Sequence, residues 1–284
     1  MGYKKLSNEQ EKQLVNDYLD GISVKVLMEK YGFKTKKSIT DKVKKYYPDN
    51  YKEKIQEAKI NRKGYYYTLE KIQCEFDAYY LGLLLTDGYI SRGTDVGLDL
   101  VDQDCIEFLS RVIGKEYKTY SENNNHKQKH RLILSDINLV NNLKRFGVVE
   151  RKTLALQGPQ LLPEEKPFLP YIIRGIIDGD GTVSPTSYGG AQFHIVTMSE
   201  DFANWLKTTL EQELFMVDIK KSQSQNGLWT IETANQYNIL KLIALVYNKP
   251  YGMMRKYKLL RKTFRDYNND PLLEGDGIVQ TTTD

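Results

Sequence analysis

Two apolar segments with the same pattern constrain this chain more than any other feature. The segment LGLLLTDGYIS occupies residues 81–91, and IRGIIDGDGTVS occupies residues 173–184. Each has a glycine within its apolar run and continues into an Asp-Gly pair, so Asp87 and Asp180 hold matching positions. A carboxylate at the end of an apolar helix is uncommon unless it is paired or binds a metal ion. The repetition predicts two copies of one structural unit.

The residues that follow the two segments repeat as well. Each segment precedes two stretches typical of strands, a polar turn, a helix pattern, two more strand patterns and a closing helix pattern. An Arg-Lys pair ends each copy, with Lys152 in the first and Lys256 in the second. We therefore predict the element order αββαββα twice, over residues 71–163 and 164–264.

The N-terminal part of the chain has a different character. The net charge is +4, and the excess of Lys and Arg lies in the first 70 residues, which suggests an anionic partner such as nucleic acid. Helical spacing predicts three short helices within residues 1–50, with Ile39 and Val43 facing inward. The outward face of the third helix then carries Lys37, Thr40 and Lys44. This arrangement resembles a helix-turn-helix DNA-binding domain, and an ordinary three-helix bundle is the alternative.

The remaining segments carry weaker signals. Residues 51–70 are expected to hold a highly charged helix and to form a linker. Residues 265–284 lack apolar periodicity, which is typical of a flexible tail. No apolar run is long enough to span a membrane. Cys74 and Cys105 make neither a disulfide framework nor a zinc site. We expect a soluble protein of the cytoplasm or nucleoid in a bacterium or phage-infected cell, with an organelle-encoded origin as an alternative.

The paired segments resemble the double signature of the LAGLIDADG homing endonucleases. The resemblance covers about residues 70–264 and includes the element order and the Arg-Lys pairs. It implies an α+β fold in which two pseudo-symmetric αββαββα repeats form a saddle of antiparallel sheets, here with a small all-α N-terminal domain. Chains of this family with two copies are monomeric enzymes that need no protein partner.

The resemblance also implies a reaction and a set of residues. Asp87 and Asp180 would each help hold a divalent cation, Mg²⁺ or another such as Mn²⁺, over a scissile phosphate of duplex DNA. Lys152 and Lys256, by matching position, would stabilise the phosphate charge or the leaving group. A plain phosphate contact, or a favourable charge at a helix end, is the alternative for both lysines.

Three further positions in the two signature segments have expected roles. Gly82 and Gly175 remove side chains from one face of each helix, so they are expected at the interface between the repeats. Asp178 stands where the first repeat has Leu85. This asymmetry makes Asp178 a poor candidate for a metal ligand, and a helix-end residue bonded to backbone or solvent is the preferred interpretation.

The strands of both repeats offer polar side chains for reading base edges in the major groove. A one-residue error in strand register would move every one of these side chains to the other face. Each is as readily a solvated or phosphate-contacting residue. The candidates are Arg92, Lys118, Arg131, Ser184, Gln192, His194, Lys220 and Gln223.

The leading hypothesis is a site-specific, metal-dependent homing endonuclease of a mobile genetic element, which makes a double-strand break in a long DNA target. A non-cleaving transcriptional regulator on the same fold is one alternative, although regulation alone would not require both Asp87 and Asp180. An intron RNA maturase is another. The target sequence and the number of metal ions do not follow from the sequence.

Overall fold

The chain divides into two compact units. The computed structural model describes residues 6–63, 67–121, 128–186 and 190–268. The first unit ends at Tyr67 and includes Ile113–Lys115, and the second comprises the rest of the described chain. Within the described ranges, no helix is both long and apolar enough to cross a membrane.

Four helices form the first unit. They are α1 (Asn8–Leu19), α2 (Val24–Tyr31), α3 (Lys36–Tyr46) and α4 (Tyr51–Lys63). A capping box begins α1, because the Ser7 side chain accepts from the Gln10 N–H and the Gln10 side chain accepts from the Ser7 N–H. The expected inward residues Ile39 and Val43 are fully buried in the core of this unit.

The packing of helix α4 differs from the sequence expectation, which placed a charged helix within a linker at residues 51–70. Ala58 is fully buried in the core of the first unit, and Ile55 packs against that core. The Asn61 side chain also donates to the Leu19 carbonyl oxygen at 2.7 Å. These few contacts fix a helix whose other residues are mostly charged, and they make it part of the unit. Residues 64–66 of the expected linker lie outside the described ranges.

The second unit contains two repeats with the same element order. The first repeat comprises α5 (Glu75–Thr86), β1 (Gly88–Ser91), β2 (Asp95–Leu100), α6 (Gln103–Ile113), β3 (Lys118–Ser121), β4 (Gln128–Ser135) and α7 (Ile137–Arg145). The second comprises α8 (Leu169–Asp180), β5 (Gly181–Pro185), β6 (Ala191–Thr197), α9 (Glu200–Thr208), β7 (Lys220–Gln223), β8 (Trp229–Thr233) and α10 (Gln236–Val246).

Each repeat builds one four-stranded antiparallel sheet, with the orders β1-β2-β4-β3 and β5-β6-β8-β7. The predicted α+β class, with two αββαββα repeats and N-terminal helices, is confirmed. A further helix, α11 (Met254–Asn268), extends past residue 265, where the tail was expected to begin. Residues 269–284 of that expected tail lie outside the described ranges.

One face of each sheet is buried and the other is open. On β6, Ala191, Phe193 and Ile195 are buried, whereas Gln192 is exposed and His194 is half-buried. This alternation follows the two-residue period of a strand. Helices of the same unit pack against the buried faces, α7 on β2 and α10 on β6. The open faces are therefore available to a ligand.

Helices α5 and α8 meet backbone to backbone. A Cβ atom added to Gly82 would lie 2.2 Å from the Ile172 carbonyl oxygen and 2.7 Å from the Gly175 Cα. A Cβ atom added to Gly175 would lie 2.2 Å from the Tyr79 carbonyl oxygen. Contacts this short leave no room for any side chain, so the two expected interface glycines are where the repeats join.

Replacement of Gly82 by alanine is expected to separate the two helices. The added methyl group meets backbone atoms, which cannot move aside as a flexible side chain would, so Gly82→Ala is expected to cost at least about 1–3 kcal/mol. Arg111→Ala, at an exposed position on α6, is the control and is expected to stay within about 0.5 kcal/mol of the wild type. Urea unfolding measures both, and equal midpoints for the three proteins would contradict the close contact.

Candidate active site

The two motif aspartates lie at the ends of the paired helices. Asp87 directly follows α5, and its N–H still donates to the Leu83 carbonyl oxygen at 2.9 Å. Asp180 is the last residue of α8. A Cβ atom added to Gly179 would lie 2.8 Å from Asp87 Oδ2, so the Asp87 carboxylate rests against the end of α8, beside Asp180. The structure therefore brings the two predicted carboxylates to one place.

This placement is electrostatically unfavourable for both acids. Burial, and secondly the charge of Asp180, raise the pKa of Asp87 to about 6. Asp180 is exposed on one side, yet the protein that surrounds the rest of its carboxyl group excludes water and so raises its pKa as well. The charges of Lys152 and Lys256 act in the opposite direction at both sites. The C-terminal ends of two helices add further negative potential.

Both predicted lysines donate to the ends of the motif helices. Lys152 Nζ donates to the Thr86 carbonyl oxygen at 2.7 Å, at the end of α5. Lys256 Nζ donates to the carbonyl oxygens of Ile177 and Gly181, each at 2.7 Å, at the end of α8. Each lysine thus serves the helix of its own repeat, and the helix-end contact offered as an alternative for them is present in the structure.

Lys256 is the more enclosed of the two lysines. The carbonyl oxygens of Asp178 and Gly179 also lie within hydrogen-bond distance of its Nζ. An ammonium group has three donors, so these four carbonyl groups suffice to occupy it. Burial lowers the pKa of Lys152 and lowers that of Lys256 to about 8. Whether either lysine also contacts a phosphate stays a prediction.

The donor set at Asp87 and Asp180 fits Mg²⁺ or a similar hard cation. The two carboxylates supply oxygen ligands and an excess of negative charge. Among the residues that the structure describes, no group of three or more His, Cys, Asp or Glu side chains could hold a metal ion. A cation here would therefore keep part of its shell for water or phosphate oxygens, as Mg²⁺ usually does.

Two cavities flank the carboxylates. One, of about 320 Å³, is lined by Asp180, Arg255 and Lys256 among others. The other, of about 220 Å³, is lined by Thr86, Lys152 and Asp180 among others. Asp180 borders both, so there is room on both lysine sides of the pair for water or a phosphate group.

Asp178 lies in a buried hydrogen-bond network. Its Oδ1 accepts from the Tyr247 hydroxyl at 2.7 Å, and its Oδ2 accepts from the Tyr79 hydroxyl at 2.8 Å and the Met253 N–H at 3.1 Å. Burial raises its pKa. Backbone bonding was expected for this residue, whereas the two tyrosine hydroxyls were missed. Because Tyr79 belongs to α5, the bond to Asp178 joins the two repeats.

Arg174 was also missed by the sequence analysis. It is fully buried, and its Nη1 donates to the carbonyl oxygens of Val246 at 2.9 Å and Lys249 at 3.0 Å. Its Nη2 donates to the Tyr251 carbonyl oxygen, and the guanidinium carbon lies 3.6 Å from the centre of the Tyr251 ring. Arg174 and Asp178 are one helical turn apart on α8.

Together these two side chains hold the segment 246–253, which leads into Lys256. The first repeat has Leu81 and Leu85 at the matching positions and no such polar pair. A charged residue facing the interior, where the other copy has leucine, is the signal that could have revealed this network from the sequence.

On the second sheet, most of the predicted base-reading residues share the open face. One row of paired residues crosses the four strands and consists of Thr182, His194, Glu232 and Lys220. Ser184 pairs with Gln192, and each lies two residues from a member of this row, on the same face. Gln223 differs, because it pairs with Trp229 at an odd offset from Lys220 and therefore points to the opposite face. The predicted common face does not include Gln223.

On the first sheet, Lys118 pairs with Arg131, which pairs in turn with Asp99. Lys118 is exposed, whereas Arg131 is half-buried and bonded to Asp99. Arg92 is exposed in the turn between β1 and β2, with φ of 56°. The structure thus places these three candidates at or beside one open face.

In the first unit, the lysines of α3 divide between two environments. Lys42 and Lys45 bind the buried carboxylate of Glu11, which holds the pKa of that carboxyl below its usual range. Lys37 and Lys44 are exposed, as predicted. The third predicted residue, Thr40, is half-buried, and its hydroxyl donates to the Lys37 carbonyl oxygen at 3.1 Å. Of the three predicted residues, Lys37 and Lys44 are the two whose side chains are open to an anionic ligand.

The unfavourable ionisation of Asp87 is expected to lower the free energy of unfolding at neutral pH. Its folded-state pKa of about 6 lies above the usual 3.8, so its contribution to stability is complete below pH about 4 and is lost as the pH rises through 6. At pH 7.5 without divalent cations, Asp87→Asn is expected to raise the free energy of unfolding by about 1–2 kcal/mol. Asp95→Asn on β2 is the control, and a destabilised Asp87→Asn protein would contradict the expectation.

The Asp178 network should contribute to the stability of the joined repeats. Tyr247→Phe removes one donor to a fully buried carboxylate, so it is expected to cost about 1.5–3 kcal/mol. Tyr237→Phe is the matched control, because Tyr237 lies on α10, the helix that Tyr247 directly follows, and is 58% exposed. Thermal or urea unfolding compares them, and equal losses in the two variants would count against the network.

Comparison with known proteins identifies a domain within this unit. Solved structures with a similar fold include full-length DUF199/WhiA from Thermatoga maritima, at 12% identity and a TM-score of 0.46, covering 70% of this chain and 64% of that chain. Another is the LAGLIDADG meganuclease I-AabMI bound to uncleaved DNA, at 12% identity and a TM-score of 0.45, covering 68% of this chain and 89% of that chain. A third is the LAGLIDADG homing endonuclease I-LtrWI bound to target DNA, at 11% identity and a TM-score of 0.45, covering 69% of this chain and 91% of that chain. A search of curated protein sequences gives no match. Residues 168–246, which cover most of the second repeat, match the family model of the LAGLIDADG-like domain.

Proposed function

We propose that this chain is a site-specific, divalent-metal-dependent endonuclease that makes a double-strand break in a long DNA target. The observation that carries the proposal is the convergence of Asp87 and Asp180 at the ends of two helices in backbone contact. Burial and mutual repulsion make this arrangement unfavourable without a counter-ion. Ionisable groups that a fold keeps in an electrostatically unfavourable position are characteristic of functional sites.

In this proposal the carboxylates of Asp87 and Asp180 would hold the cation beside the scissile phosphate. The bound cation would polarise the phosphate, activate water and stabilise the leaving oxygen. Lys152 and Lys256 each donate to carbonyl oxygens at the end of the motif helix of their own repeat, and their charges offset part of the negative charge there. A direct contact between either lysine and the phosphate is a further part of the proposal.

The open sheet faces would bind the DNA duplex in its major groove, and the first unit would add a second contact. Exposed Lys37 and Lys44 on α3 suit a helix-turn-helix-like role and a mainly phosphate-directed, salt-dependent contribution to affinity. We infer that one chain acts as a monomer with two unequal halves, as expected for an enzyme of a mobile genetic element. Its target then need not be a palindrome.

A non-cleaving DNA-binding regulator is the second candidate. The observation that favours it is the enclosure of Lys256 by four carbonyl oxygens, since an ammonium group occupied in this way is a poor phosphate ligand. The two functions differ in one respect that is simple to measure, which is the breakage of DNA.

Plasmid cleavage tests the proposed function. A plasmid that carries the uninterrupted form of the gene's own insertion site is expected to be linearised with Mg²⁺ and left intact with EDTA. Asp87→Asn and Asp180→Asn are expected to abolish double-strand cleavage and to leave DNA binding in a gel-shift assay, with Asp95→Asn as the control. Binding of the wild-type protein without any cleavage, in Mg²⁺ and in Mn²⁺, would favour the regulator.

A further inference from the structure

We propose that Arg131, held in place by Asp99, reads a guanine in one half of the DNA target. The proposal rests on the proposed DNA binding and goes beyond it, because it assigns a base to one side chain and a positioning role to another. Both residues lie in the first sheet, Arg131 on β4 and Asp99 directly opposite on β2.

The two side chains form a two-pronged ion pair. Arg131 Nε donates to Asp99 Oδ1 at 2.8 Å, and Arg131 Nη2 donates to Asp99 Oδ2 at 2.6 Å. This geometry fixes the plane of the guanidinium group as well as its position. The ion pair therefore orients the arginine before any ligand arrives.

Two tyrosines hold the carboxylate in turn. The Tyr120 hydroxyl donates to Asp99 Oδ2 at 2.7 Å, and the Tyr89 hydroxyl donates to Oδ1 at 3.2 Å. The Tyr120 ring also lies 4.5 Å from the guanidinium carbon of Arg131, and the Tyr89 ring covers Gly97, where any side chain would collide with it. Asp99 has a lowered pKa despite its partial burial, because of the bonds from Arg131 and Tyr120. It is therefore charged at neutral pH.

The arrangement leaves part of the arginine for an outside acceptor. The bonds to Asp99 and to the Tyr120 hydroxyl use Nε and Nη2 and do not involve Nη1. The Arg131 side chain is 39% exposed on the open face of the sheet. The two Nη1 donors are thus left for an outside acceptor, and the ion pair fixes their direction.

A guanine edge fits such a group better than a phosphate does. In the major groove, guanine presents two neighbouring acceptors, O6 and N7, and arginine is their commonest partner. A phosphate contact needs charge but little fixed orientation, and the exposed Lys118 in the next strand of the same row serves that purpose. The ion pair and the tyrosines supply orientation, which is the property that base reading requires.

The second repeat has no such group at the matching place. The pairing of Gly88 with Leu98 corresponds to that of Gly181 with Ile195, so Asp99 matches Val196. Val196 pairs with Thr230, which therefore matches Arg131. The guanine preference should thus occur in one half-site and be absent from the related position of the other.

Binding selection from a randomised DNA library tests the proposal without any need for cleavage. The full chain is used in EDTA, and the base preference is measured at every position of the selected target. The wild type is expected to prefer guanine at one position by at least about fivefold. Arg131→Ala is expected to lose that preference and keep the others, and Asp99→Asn, which retains the arginine, is expected to weaken it at the same position.

Arg111→Ala, which removes one positive charge from α6, is the control and is expected to keep every base preference. An Arg131→Ala protein that binds all sequences more weakly, with a shallower salt dependence and unchanged preferences, would make Arg131 a phosphate contact and overturn the proposal. An Asp99→Asn protein with normal thermal stability and an unchanged guanine preference would overturn the positioning role. Absence of DNA binding by the wild type would instead contradict the proposed function itself.

Discussion

The backbone contact between α5 and α8 is the constraint on which the second unit depends. With glycine at positions 82 and 175, the two helices approach until carbonyl oxygens and Cα atoms touch. The chain passes from each helix into a strand, at Gly88 and Gly181, and each of these strands is the edge strand of one sheet. The position of the contact therefore determines where the two carboxylates meet and where both sheets begin. A bulkier interface would move the carboxylate pair and the open sheet faces together.

The same contact creates the electrostatic problem that the site must solve. Two helix C-termini and two carboxylates converge in a partly buried place, where like charges are poorly screened. Lys152 and Lys256 offset part of this charge from within the protein, by bonding to the helix-end carbonyl oxygens. The pKa of Asp87 is still raised to about 6. A divalent cation would relieve the remaining repulsion, and replacement of Asp87 by asparagine would remove part of it without a cation.

Much of this architecture could be predicted from the sequence, and each failure has its own physical reason. The element order of the repeats followed from the hydrophobic periodicity. The convergence of the two aspartates followed from the paired motifs, because two copies of one unit that pack symmetrically bring equivalent residues together. The packing of helix α4 was missed because a few residues, such as Ala58 and Ile55, determine it among many charged ones, and such tertiary contacts are not visible in a local pattern. Gln223 was grouped with Lys220 although the two residues are three apart on one strand. The two-residue period of a strand places them on opposite faces, in agreement with the pairing of Gln223 with Trp229.

The unequal repeats show why symmetry alone is a poor guide to this molecule. At matching positions the second repeat has Arg174 and Asp178 where the first has leucine, and these side chains bind the segment that carries Lys256. The first repeat has an ion pair between Asp99 and Arg131 on its open face, where the second has Val196 and Thr230. Each repeat thus uses charge at a place where the other does not, one inside and one at the surface. Equal backbones with unequal charges therefore make the two repeats chemically distinct.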